Sequence, residues 1–142
     1  MQDNSLSKPP TWFWWISGIG LAWNALGLMA FVSQMLMDPS TLRPDEHEFY
    51  ANMPLWADIG FGVAVFGGVL GCVALLLKKS WAVAMLVVCV IGIVVQNLHS
   101  IVLANGIEVF GTAALALPVM TFLIGVGLAW FARHSQQKGW IR

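Results

Sequence analysis

The residues in this chain that could do polar chemistry are few, and they lie in apolar surroundings. Asn24 and Gln34 fall in one long apolar segment, Asp58 opens a second, and Gln96, Asn97, His99 and Ser100 cluster in a third. Carboxamides and hydroxyls donate and accept hydrogen bonds without carrying charge, which suits a neutral polar ligand. Asp58 and His99 are the one carboxylate–imidazole pair within the segments. Such a carboxylate would fix the imidazole tautomer and favour its charged form. Gln96, His99 and Ser100 stand at i, i+3 and i+4, one face of a helix. The spacing therefore predicts one small polar pocket lined by Asp58, Gln96 and His99, with Gln34 at the same depth and Asn24 deeper. The same residues also read as interhelical hydrogen bonds, worth about 0.6–2 kcal/mol each, with no ligand at all.

Catalysis has little support. The chain has no HExxH, no GxSxG and no glycine-rich phosphate loop after a strand. His47 lies between Glu46 and Glu48, but adjacent residues on a helix do not face one site. Cys72 and Cys89 have neither CxxC nor Cys/His spacing and read as small core residues. The expectation is a protein that is not an enzyme, with no metal and no cofactor.

The elements that must position these residues follow from composition. Of 142 residues, 58% are hydrophobic, and 14 glycines come in addition. A soluble domain carries roughly 45–50% apolar residues with glycine included, and roughly 25% charged ones. Here the charged fraction is 10%, which excludes a soluble globular chain and a disordered one. Seven Lys+Arg balance seven Asp+Glu, which excludes a nucleic-acid partner.

Four apolar segments stand out, at about 12–37, 55–77, 81–104 and 109–132. Each exceeds the ~20 residues a helix needs to cross the hydrocarbon core. Backbone polar groups must be satisfied within the segment in lipid, so all four are predicted helices. The first is too long for a signal-peptide core and has no A-x-A site after it, so it reads as a retained span. The fold class is thus all-α, a single four-helix transmembrane bundle spanning 1–142.

Lys8, Lys78, Lys79, Arg133, Lys138 and Arg142 fall at one end of such a bundle, and only Arg43 at the other. Positive residues stay inside, so both termini are predicted to be cytoplasmic. Trp12, Trp14, Trp15, Trp56, Trp81 and Trp130 mark the span ends, where an indole meets the headgroups. Between spans one and two, Pro44-Asp45-Glu46 has proline at a first helical position and acids in the first turn. A short extracytoplasmic surface helix is predicted over about 44–51. In span two, Gly60, Ala64, Gly67, Gly68 and Gly71 form a row that lets another backbone approach closely. That row reads either as packing inside the bundle or as a homodimer face.

Several motifs taken together carry a family resemblance. These are Trp12-Phe13-Trp14, Trp23-Asn24-x-x-Gly27, Pro54-x-Trp56-Ala57, Phe66-Gly67-Gly68-x-x-Gly71-Cys72, Leu77-Lys78-Lys79-x-Trp81-Ala82 and Trp130-Phe131-Ala132-Arg133. The chain resembles small four-helix bacterial inner-membrane proteins commonly labelled "sugar transporter", with an overall plan similar to DoxX-like proteins. The resemblance implies a multi-pass protein of the inner membrane and a small neutral solute such as a sugar. Four helices leave little room for a cavity in one copy, so a homo-oligomer in the bilayer is expected. The alternative is an accessory or structural subunit packed against other membrane helices.

Overall fold

The computed structural model describes residues 7–142. The chain is all-α: α1 (Thr11–Met35), a 3-10 turn (Pro39–Thr41), α2 (Pro44–Ala51), α3 (Leu55–Leu76), α4 (Trp81–Asn97), α5 (Gly106–Phe110) and α6 (Ala116–Gln137). A π-helical segment, Leu98–Leu103, continues α4, and a 3-10 turn, Thr112–Leu115, leads into α6. Four stretches are long and apolar enough to cross a membrane: Thr11–Met35, Leu55–Leu76, Trp81–Leu103 and Thr112–Gln137.

Proline sets several of the starts. Pro10 and Pro54 cap α1 and α3, and Pro44 opens α2, each where a missing N–H costs nothing. The surface helix lies where the sequence places it. Glu46 closes its first turn by accepting from the Arg43 N–H at 3.3 Å and from Arg43 Nη2 at 2.9 Å. The fourth span differs from its sequence-based bounds. Gly111, at φ +81°, breaks the chain after α5, so the membrane-length helix starts at Thr112. It then runs on to Gln137, because Arg133, Gln136 and Gln137 are good helix formers that keep their heads wet.

The core of the bundle is the α3–α4 seam. A Cβ added to Gly67 would lie 3.1 Å from the Met85 carbonyl oxygen. One added to Gly71 would lie 2.5 Å from Leu86 Cγ, and one on Gly60 2.8 Å from Val95 Cγ1. The glycine row therefore faces α4 within the chain, and α4 covers the surface that a dimer would have used. Gly68 points the other way, and a Cβ there would overlap the Asn24 side chain on α1. α4 contributes a reciprocal glycine to the same contact. A Cβ on Gly92 would lie 2.7 Å from both the Ala64 nitrogen and the Gly60 carbonyl oxygen.

α3 lies in the middle, against α1 on one side and α4 on the other, and α4 carries α6. α1 and α6 meet only towards the end that holds the termini. There Phe13 and Phe131 pack at 5.6 Å between ring centroids, and Trp12 lies 5.3 Å from Trp140. Phe13, Leu75, Leu86, Phe131 and Ile141 are buried in one cluster at this end. The Arg142 N–H donates to the Lys78 carbonyl at 2.8 Å, and the Ser7 N–H to that of Gly139 at 3.1 Å. The basic residues of the termini and of the α3–α4 turn thus share one end of the molecule. α2 and α5 cover the other.

Candidate functional site

α1 and α6 converge near Gly20, where an added Cβ would lie 2.9 Å from Leu128 Cδ2. From there towards the α2 end they part. The gap is a cleft of about 380 Å³, walled by Trp23, Asn24 and Gly27 of α1 and by Leu117, Pro118 and Thr121 of α6. Its floor is Ala64 and Val65 of α3 with Ile93, Gln96 and Asn97 of α4. Leu26 and Leu117, both more than 60% exposed, flank the opening.

Two smaller cavities continue from it. The first, of about 150 Å³, shares Gln96, Ser100 and Pro118 with the cleft, and is roofed by Phe49, Tyr50 and Phe110. Phe49 and Phe110 pack edge to face at 5.1 Å, which fixes α2 on α5. Burial raises the Tyr50 phenol above its ordinary pKa, with the Glu46 carboxylate adding to the shift. The second cavity, of about 170 Å³, shares Gln34, Tyr50 and Met53 with the first and reaches Asp58, His47 and Leu42. The three form a chain of spaces from the α2 end of the bundle to mid-helix depth.

The sequence-predicted site residues do not all meet. Gln34 and Asp58 do: Gln34 Nε2 donates to Asp58 Oδ1 at 3.3 Å, with Met53 Sδ at 3.6 Å. Gln96 and Ser100 border the cleft and the first cavity together. The Gln96 carboxamide makes no hydrogen bond to any described residue. Asn24 borders the cleft but is tied down, donating through Nδ2 to the Gly20 carbonyl at 2.8 Å and to Cys72 Sγ at 3.7 Å. Asn97 Nδ2 donates to the Pro118 carbonyl at 3.4 Å and so holds α4 to the start of α6.

The expected Asp58–His99 pair does not form. His99 packs against the edge of Trp56, with ring centroids 5.4 Å apart, and against Phe49. Trp56 and Asp58 are two positions apart on α3, hence about 200° around the helix. With Trp56 turned to α4, Asp58 must face α1 and Gln34. The π-helical turn, in which the Ala104 N–H donates to the His99 carbonyl at 2.8 Å, accompanies the departure of His99 from the face that Gln96 and Ser100 still share. His99 accordingly borders a separate cavity, apart from Gln96.

The cleft is thus a largely apolar space with a few fixed amides and one unengaged amide, and no ionised side chain on its walls. It can solvate an apolar body and hydrogen-bond a neutral head. Among the described residues, no three His, Cys, Asp or Glu side chains converge to hold a metal ion. No protein-family model, curated protein or solved structure matches this chain.

Proposed function

We propose that this chain is an integral membrane protein that binds a small neutral amphipathic molecule in the cleft between α1 and α6. The observation that carries the reading is Gln96, a half-buried carboxamide without a protein partner where the apolar cleft meets the cavity beneath α2. An amide that no protein group engages is free to donate and accept hydrogen bonds with a ligand head group. In a bilayer the cleft opens sideways to lipid between Leu26 and Leu117. The chained cavities give a second route from the α2 end, which supports passage as well as binding. A free sugar, the solute implied by the family resemblance, fits the lining less well. Most of its hydroxyls would face apolar walls without partners. The basic end supports cytoplasmic termini, and the resemblance supports a bacterial inner membrane.

A second reading has its own observation. α1 and α6 part along half their length and leave exposed apolar side chains on both lips. A transmembrane helix of another subunit could fill that gap.

The test is extraction of small molecules from protein purified in mild detergent, identified by mass spectrometry. The wild type should retain a neutral amphipath, and Gln96→Leu should lose at least tenfold of it while melting at the same temperature. Equal retention by both proteins would refute the cleft as the site. Co-purification of a stoichiometric membrane subunit would favour the second reading.

A further inference from the structure

The cleft between α1 and α6 and the small cavity beneath α2 meet at three residues, Gln96, Ser100 and Pro118. Two of these carry polar side chains that no protein group engages. Neither the Gln96 carboxamide nor the Ser100 hydroxyl makes a hydrogen bond to any described residue. The other carboxamides that border the two spaces are all engaged: Asn24 donates to Gly20, Asn97 to Pro118 and Gln34 to Asp58. Unused amide capacity is therefore confined to the junction. Gln96 and Ser100 stand one helical turn apart, with Cβ atoms about 6 Å from each other, so both can reach one small head group. No Asp, Glu, Lys, Arg or His borders either space.

We infer that the amphipath bound in the cleft is a single-chain glyceride, an inference that rests on the reading of the cleft given above. The chain lies between α1 and α6, and the glyceryl head lies beneath α2. Its ester carbonyl accepts from Gln96 Nε2, and its hydroxyls exchange hydrogen bonds with Ser100 Oγ and Gln96 Oε1. Size and charge decide the class. At about 30 Å³ for each water-sized group, the cavity of about 150 Å³ holds about five non-hydrogen atoms. A glyceryl head is of that size, and a hexose or a phosphocholine is too large. On the same measure the cleft of about 380 Å³ takes about a dozen methylenes, which is one chain rather than two. The side opening lets the end of a longer chain lie among lipid tails. A fatty acid would bring an ionised head to walls that hold no counter-charge. A fatty alcohol has one hydroxyl and leaves part of the Gln96–Ser100 pair unmet.

The experiment is native mass spectrometry of the full chain in detergent, with equal concentrations of monolauroylglycerol, dodecanol, dodecyl glucoside and lauroyl lysophosphatidylcholine. The probes share one chain length and differ in the head. Monolauroylglycerol should be retained over each of the others by about fivefold or more, the worth of one net hydrogen bond. Ser100→Ala removes a hydroxyl that no protein group engages, so its Tm should match the wild type. Its retention of monolauroylglycerol should fall about fivefold, to the level of dodecanol. Equal retention of dodecanol and monolauroylglycerol by the wild type, lost in Gln96→Leu, would overturn the glyceride and leave the cleft as the site. Preference for dodecyl glucoside or lysophosphatidylcholine would overturn it as well. Retention of none of the probes, or the same retention by the wild type and Gln96→Leu, would overturn the cleft reading together with the glyceride.

Discussion

Gln34 and Gln96 are the same residue type at similar depth, yet the structure gives them different work. Gln34 supplies a hydrogen bond to the half-buried carboxylate of Asp58. Removing it in Gln34→Leu leaves that carboxylate short of a donor, at a cost of about 1–3 kcal/mol. A thermal melt in detergent should show Tm lowered by several degrees. Gln96→Leu deletes a group with no protein partner, so its Tm should match the wild type. Depth counting was enough to bring Gln34 and Asp58 to one level. It could not give azimuth, and azimuth separates Asp58 from His99, because Trp56 takes the face towards α4. Tyr50 offers a residue-scale check on the roof of the cavity. It is the chain's one tyrosine, so the pH-dependent rise in near-ultraviolet absorbance on phenol ionisation reports it alone, above a constant tryptophan background. Burial favours the neutral phenol, so the folded-state pKa lies above the ordinary value of 10.0. The associated stability is fully present below that ordinary value and is lost as pH rises through the higher, folded one. A titration midpoint at or below 10.0 in the folded protein would mean that α2 does not pack over the cavity.

At the scale of elements, apolar length and proline position made the helices legible, and α2 falls on the residues its proline and acids indicate. The small-residue row in α3 was legible as a contact face, but its partner was not. The structure supplies the partner, α4, which brings its own Gly92 to the contact, where an added Cβ would strike backbone on α3. Backbone cannot yield as a side-chain tip can, so Gly92→Ala should cost about 1–3 kcal/mol. Val63→Leu, on an exposed face of α3, should change little. Comparable losses of Tm for both would deny a close α3–α4 contact. The turn between these helices offers the reverse effect. Lys78 sits in the left-handed region at φ 56°, while the Lys79 N–H closes the helix end on the Ala74 carbonyl at 2.8 Å. Lys78→Gly removes a strain of about 1 kcal/mol and should raise Tm slightly. Neither the π-helical end of α4 nor the separate α5 was legible, since neither alters the apolar pattern that marks a span.

At the scale of the whole molecule, the bundle is closed at one end and open at the other. Aromatic packing of Phe13, Phe131 and Trp140 ties the termini end together, and the splay of α1 from α6 leaves the cleft towards α2. The six basic residues at the closed end predict that it faces the cytoplasm. An alkaline phosphatase fusion after Arg142 should be inactive in intact cells, and activity there would reverse the orientation. The central claim is that the cleft holds a small molecule rather than remaining empty or receiving a helix. The most direct measurement is a density map of the full chain in nanodiscs formed with its native lipids. The account predicts non-protein density between α1 and α6, with its polar end in contact with the Gln96 carboxamide. A helix of a second chain in that gap, or α1 and α6 closed against each other along their whole length, would contradict it.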